Sequence, residues 1–286
     1  MDNDHRNQLA AFLEEDLGRG DITSESLIPA AAEATGEVRS GEAAVLAGLD
    51  EATVLADMMQ LETTEHVGDG DEIDAGQLVL EVSGKARAIL GVERTLLNVI
   101  SHMSGVATMT HRAVHAVARA HTGAHAERPP RISATRKTLP GLRRLQKKAV
   151  VLGGGVPHRS DLSDAVLVKD NHLSPDPDFA AIVRRARERV GSMPVEIEVE
   201  SLQDALLAAE AGADSLLLDN LSPTAVTEIV ETLRSAGLRN EISLEASGGI
   251  GIGTVHAYAD TGVDVISMGV LTTSAHHIDF SLHFRR

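Results

Sequence analysis

From Arg131 onward the chain alternates short apolar runs with helical stretches, and each run closes on polar or glycine residues. Residues 132–135 lead into Arg136-Lys137, 165–168 into Lys169-Asp170, and 195–199 hold Glu196 and Glu198. Residues 215–218 lead into Asp219-Asn220, 242–244 into Glu245-Ala246-Ser247-Gly248-Gly249, and 263–268 into Gly269. Helical stretches at 177–190, 201–211 and 223–236 separate them. Strands that alternate with helices pair in parallel. Polar residues at strand C-terminal ends mark a (β/α) barrel, whose chemistry sits on that rim. Six units fall short of eight, so an incomplete barrel is expected. A doubly wound open sheet, which also binds ligands at strand C-termini, is the alternative.

The segment before the barrel reads as mixed α/β. A helix is expected over 7–17, strand-like runs within 37–49 and 77–82, and an acidic turn at 68–71 whose spacing does not suit an EF-hand. Apolar residues at steps of three and four between 91 and 121 predict a long amphipathic helix, which Gly105 would bend or divide.

Charge narrows the function. The net charge is −16, against the basic stripe of a nucleic-acid binder. Aromatic residues are 2% of the chain, so base-stacking platforms are not expected. With no Cys, thiol nucleophiles and Cys-ligated zinc or iron–sulfur clusters are excluded. No apolar run reaches the ~18–20 residues of a membrane span, and the polar opening Met1-Asp2-Asn3-Asp4-His5 has no apolar leader segment, so a cytoplasmic protein is expected. Within this acidic chain, residues 131–172 carry nine basic and three acidic residues, including four of the five lysines. Such an island suits a small anion, with a solvated helix face at Arg143, Arg144, Lys147 and Lys148 as the competing reading.

The chemistry-bearing residues then fall into four groups. Arg136 and Lys137 stand at a strand end, where the Arg fork can grip a carboxylate or phosphate. Three glycines, 153–155, precede Pro157-His158-Arg159 and would let the backbone approach a ligand or act as a linker. Glu198 and Asp219, acids in apolar strands, call for a cation: Lys169, or Mg²⁺ through oxygen ligands and phosphates. Ser247-Gly248-Gly249, with Gly269, offers backbone N–H groups between strand and helix, a phosphate cradle. His256, His276 and His277 lack metal-type spacing. The sum is transfer chemistry on a phosphorylated, anionic substrate.

These motifs, with Glu15-Asp16-Leu17-Gly18-Arg19-Gly20-Asp21-Ile22-Thr23, Glu93-Arg94-Thr95-Leu96-Leu97-Asn98, Thr135-Arg136-Lys137-Thr138, Lys169-Asp170-Asn171-His172, Leu218-Asp219-Asn220 and Ile266-Ser267-Met268-Gly269, resemble those of quinolinate phosphoribosyltransferases over nearly the whole chain. The resemblance implies an N-terminal α/β sandwich domain (1–110, joined by 271–286) and an incomplete α/β barrel of about six to seven strands (111–270). It implies transfer of phosphoribosyl from phosphoribosyl pyrophosphate to quinolinate with decarboxylation, in de novo NAD biosynthesis, with Mg²⁺ as cofactor. By the same resemblance Arg136, His158 and Arg159 would hold the quinolinate carboxylates. Arg94 would join them across the interface of a homodimer or dimer-based hexamer. Lys137, Lys169, Glu198 and Asp219 would be the catalytic groups, with Glu198 and Asp219 on ribose and Mg²⁺. Ser247, Gly248, Gly249 and Gly269 would hold the 5′-phosphate. Two positions depart from the family pattern: Pro157 where Asn is usual, and Asp161 where Gly is usual. Pro-His-Arg is similar to a sister branch linked to molybdate transport, with another acceptor.

Overall fold

The computed structural model describes residues 2–173 and 177–285, and its backbone contacts divide them into two compact units, one of residues up to Met109 together with Ala275 onward, the other Thr110–Ser274. In the first unit α1 (Asn3–Leu17), α2 (Ile22–Leu27) and α3 (Leu49–Met58) accompany β1 (Glu33–Ser40), β2 (Ala44–Val45), β3 (Glu62–Glu65), β4 (Glu72–Ile73) and β5 (Leu78–Lys85). An antiparallel sheet runs β12–β1–β5–β3, where β12 (Phe280–Phe284) comes from the end of the chain, and β2 pairs with β4. Asp2 and Asp21 accept the backbone N–H groups of His5 and Ser24, which caps α1 and α2. In the acidic turn at 68–71, Asp71 accepts from Gly68 N and Asp69 from Leu49 N, so both carboxylates hold the turn.

The long helix α4 (Ala86–Ala120) runs unbroken through Gly105, against the expected bend or break. A Cβ there would lie 2.0 Å from the His276 carbonyl oxygen, so Gly105 is needed for close approach within the first unit rather than for a hinge. His277 stands 3.2 Å from His102 Nδ1, while His276 and His256 are exposed.

The second unit holds the alternation. Its elements are β6 (Arg131–Ser133), α5 (Arg143–Leu152), β7 (Val166–Val168), α6 (Phe179–Val190), β8 (Val195–Val199), α7 (Leu202–Glu210), β9 (Ser215–Asp219), α8 (Pro223–Ser235), β10 (Ser243–Ser247), β11 (Val265–Ser267) and the short α9 (Val270–Thr273). Side chains of Asp178, Ser201 and Ser222 cap α6, α7 and α8. All six strands are parallel, in the order β6–β11–β10–β9–β8–β7. Val156 bridges to Ser133 on the free side of β6 as a rudimentary seventh strand. Because β6 pairs with β11, the first strand of the unit lies beside the last, which is the order of a barrel left open between β6 and β7. This is the incomplete barrel, not the open doubly wound sheet.

Register decides what each face carries. Parallel neighbours in register project to the same side, and side chains alternate along a strand. Ile197, Leu216, Leu218, Leu244 and Ala246 form one face and are fully buried. Glu196, Ser215 and Ser243 form one row of the other face, Glu198, Leu217 and Glu245 the next, and Asp219 with Ser247 the row at the strand ends. Strand β10 extends to Ser247, past the expected end at 244, because Glu245 points to this polar side instead of terminating the strand.

Candidate active site

Lys169 follows Val168, whose register partner is Ile197, so it stands beside Glu198. Its ammonium group donates to Glu198 Oε2. Glu198 is 9% exposed, and a carboxylate so placed requires this partner or another cation. Asp219, at the end of β9, accepts from the Asn220 side chain. Asn220 takes a left-handed φ of 55° and donates its N–H to Ser247 O at 3.0 Å, which joins the ends of β9 and β10.

The glycines of the phosphate motif are demanded by backbone geometry. Gly248 has φ 87°, and a Cβ there would lie 2.4 Å from Asn220 N; Gly249 has φ 61°. Ser247 Oγ accepts from Ser267 Oγ at 2.9 Å. A Cβ on Gly269 would lie 3.0 Å from Lys137 Cδ, so the Lys137 side chain crosses this glycine. The position of Ser-Gly-Gly in the sequence predicts a helix after it. Instead a turn leads to a 3-10 segment, Val255–Tyr258, and Gly269 opens only the four-residue α9. The N–H groups offered here are those of tight turns, because Gly248 and Gly249 take left-handed φ values that a helix start does not use.

On the other side of the site, β6 passes into the Arg136-Lys137 loop. Thr272 Oγ1 donates to Lys137 O at 2.6 Å, and Gln146, fully buried on α5, joins Leu139 N and Thr272 O. Gly155 packs against Val150 and Thr110, where a Cβ would meet carbons at 2.9 and 2.8 Å. Gly155 is thus close-packed in a turn, whereas a Cβ on Gly154, at φ 87°, would meet nothing nearer than 3.9 Å. After this turn, His158 adopts φ 54° and its Nε2 lies 3.5 Å from Glu245 Oε1. Burial and the adjacent Arg136 guanidinium push the Arg159 pKa down. Arg136 Nε is buried without a hydrogen-bond partner among the described residues. Two guanidiniums whose charges act on each other, one with an unused donor, fit an anion with two acid groups.

Deeper on the same face, Glu196 accepts from Ser215 Oγ at 3.1 Å. Burial and the neighbouring Glu245 charge raise its pKa to about 7, opposed by His158 and Arg159. Among the described residues no cluster of three acids or histidines could hold a metal ion. Glu198 and Asp219 by themselves suit Mg²⁺ only as Mg²⁺ is usually held, by one or two carboxylates plus waters and substrate phosphates.

The second unit therefore gathers Arg136, Lys137, His158, Arg159, Lys169, Glu198, Asp219, Ser247, Gly248, Gly249 and Gly269 along the C-terminal ends of its strands. Arg94 belongs to the first unit, exposed on α4. The basic island is not one patch. Arg131 begins β6, at the opposite end from Arg136, and Arg143 is taken up by Thr138 Oγ1 and Ser160 O, both at 3.0 Å. Glu245 and Gln146 are not among the candidate residues that the sequence offers, and Lys147 enters there only as one charge of the basic island, although Gln146 falls on the apolar spacing of Leu142, Leu145, Ala149 and Val150.

Comparisons with known proteins agree along the whole chain. The model of "Quinolinate phosphoribosyl transferase, N-terminal domain" matches residues 21–104, and that of its C-terminal domain matches 106–283. A "Probable nicotinate-nucleotide pyrophosphorylase [carboxylating]" of Methanothermobacter thermautotrophicus is 43% identical over 271 residues, covering 94% of this chain and 95% of the relative. A "Nicotinate-nucleotide pyrophosphorylase [carboxylating]" of Mycobacterium leprae is 39% identical over 284 residues, covering 97% and 96%. The solved nicotinate-nucleotide pyrophosphorylase of Francisella tularensis superimposes with a TM-score of 0.90 at 33% identity, over 100% of this chain and 98% of that one. With both halves matched, and with the barrel and its glycine turns built as described, this chain belongs to the quinolinate phosphoribosyl transferase family.

Proposed function

We propose that this chain transfers the phosphoribosyl group of phosphoribosyl pyrophosphate to quinolinate, releasing pyrophosphate and CO₂ and forming nicotinate mononucleotide for NAD biosynthesis. The observation that carries the acceptor is the Arg136–Arg159 pair with its unused Arg136 Nε, a cationic seat matched to a dicarboxylate. The named relatives favour this acceptor over that of the molybdate-linked branch.

In this reading Arg136, His158 and Arg159 bind the two carboxylates and present the ring nitrogen. Ser247, Gly248, Gly249 and Gly269 hold the 5′-phosphate with turn N–H groups. As the C–O bond to pyrophosphate breaks, positive charge develops on the ribose. Glu198 and Asp219 stabilise it, while Lys137 and Lys169 offset the leaving charge. The ring nitrogen forms the new C–N bond. The 2-carboxylate then leaves as CO₂ from the cationic ring, whose carbon takes up a proton. Glu198 and Asp219 would hold Mg²⁺ that arrives with the substrate phosphates, and the ion supplies neutralisation of the leaving pyrophosphate. The enzyme's part is positioning and charge.

We also assign the active form as a homodimer or a dimer-based hexamer working in the cytoplasm, in which the exposed Arg94 completes a partner's acceptor site. No helix among the described residues is long and apolar enough to cross a membrane. Mixing Arg94→Ala with Lys169→Ala protein should restore activity through hybrid dimers; a fully active monomer on light scattering would overturn this. The central test is turnover of phosphoribosyl pyrophosphate with quinolinate against nicotinate as acceptor. Product and CO₂ are expected with quinolinate alone, and turnover with nicotinate instead would reject the assignment.

A further inference from the structure

Lys147 is a polar residue in an unusual place. It lies on α5 among Leu145, Ala149 and Val150, and is only 5% exposed. Its acceptors are three successive backbone carbonyls, those of Pro157, of His158 at 3.3 Å and of Arg159 at 2.7 Å. An ammonium group has three donors and no acceptor, so these carbonyls match its full capacity. They belong to the segment whose central residue, His158, is held at φ 54°. A non-glycine residue there is strained and persists only where its surroundings fix it.

We propose that Lys147 is a positioning residue for the acceptor: it pins the 157–159 backbone so that the His158 imidazole and Arg159 guanidinium face the barrel interior. Three successive carbonyls concentrate negative partial charge around the Lys147 ammonium group, whose three donors and positive charge suit them. The two side chains that leave the same backbone are thereby fixed toward Glu245 and Arg136. Lys147 itself touches no substrate in this arrangement. Charges around it are mixed: Arg143, Arg136 and Arg159 oppose its protonation and Asp164 favours it, and burial is the largest cause of a pKa near 8. The geometry also accounts for Pro157. Its missing N–H and fixed φ stiffen the segment, while its carbonyl remains available to Lys147.

This inference rests on the quinolinate reading above, and the test separates the two. Wild-type protein without quinolinate turnover would reject that reading. Given an active wild type, Lys147→Met is expected to raise KM for quinolinate tenfold or more while KM for phosphoribosyl pyrophosphate stays within twofold. Lys147→Arg, which returns a cation and donors to the slot, should recover most of the loss. If Lys147→Met does not fold, Lys147→Gln, with one donor pair, takes its place under the same criterion. A variant that folds and either leaves both KM values unchanged or raises them together overturns the proposal, since a merely structural role would not discriminate between substrates.

Discussion

Lys169 and Glu198 close the ends of β7 and β8 onto each other through a direct ammonium–carboxylate contact. The pairing neutralises the carboxylate that the proposed mechanism needs beside the ribose. Substrate pyrophosphate would compete for the same ammonium group, freeing Glu198 as the charge on the ribose develops. The contact therefore links the leaving-group side of the site to its cation-stabilising side.

Removing one member leaves a charge without its partner. Glu198 is nearly buried while Lys169 is 42% exposed, so the loss is asymmetric and screened on the lysine side. Lys169→Met should destabilise the fold by about 1 kcal/mol, and Glu198→Gln by less. The double variant should be more stable than the two losses predict, with a coupling of about 0.5–1 kcal/mol. Urea unfolding of the four proteins checks this. Strict additivity would mean that the contact contributes nothing in solution.

Gly248 has no room for a side chain. Its φ is 87°, and a Cβ would lie 2.4 Å from both Asn220 N and Asn220 Oδ1. Gly248→Ala must push Asn220 away, and with it the neighbouring Asp219. Expected is a rise of tenfold or more in KM for phosphoribosyl pyrophosphate together with a fall in kcat, read by initial rates. Gly249→Ala meets no atom and carries only the strain of its φ, so its effect should be smaller. Equal effects would show that the Asn220 contact is not what demands glycine.

The barrel order and the rim residues were legible because the chemistry of a strand end is local. Lys169 and Asp219 each follow an apolar run and Ser247 opens a Ser-Gly-Gly turn, so the pattern displays them. What stayed hidden was set by packing between distant segments. Gly105 looked like a helix breaker, but its neighbour is the His276 carbonyl, 171 positions away in sequence. Lys147 reads from the sequence as part of an anion site or as one charge of a solvated helix face, and its carbonyl partners lie across a turn that no periodicity reveals. The strand predicted over 242–244 ends before Glu245 because a buried acid needs a cationic neighbour, and that neighbour, His158, comes from another element.

Glu196 gives the fold a pH dependence with a definite sign. Its folded pKa of about 7 lies above the usual carboxylate range, because burial and Glu245 disfavour its charge more than His158, Arg159 and Ser215 favour it. A raised pKa means the native state holds the proton more tightly than the unfolded chain. Its stabilising contribution is therefore full below about pH 4 and is lost as pH rises to about 7. Glu196→Gln, which stays neutral, should flatten the stability profile between pH 5 and pH 8. Denaturant unfolding of both proteins over that range is the measurement. A variant whose stability falls with pH as steeply as wild type would assign the effect to another group.

Arg159 tests the acceptor site through geometry rather than charge. Its guanidinium is lowered in pKa by burial and by Arg136, and one of its N–H groups reaches Ala165 O at 3.5 Å. A planar fork beside a second guanidinium can grip one carboxylate with two parallel bonds and leave Arg136 for the other. Lysine keeps the charge but offers a single mobile centre. Arg159→Lys should then weaken quinolinate binding by about 1.5–3 kcal/mol, the range of a hydrogen bond to a charged group, or roughly 10- to 150-fold in Kd. Calorimetric titration of quinolinate into both proteins decides the matter. Equal affinities would remove Arg159 from the carboxylate clamp. Absence of wild-type binding at millimolar quinolinate would return the Pro157-His158-Arg159 segment to the molybdate-linked branch that it resembles.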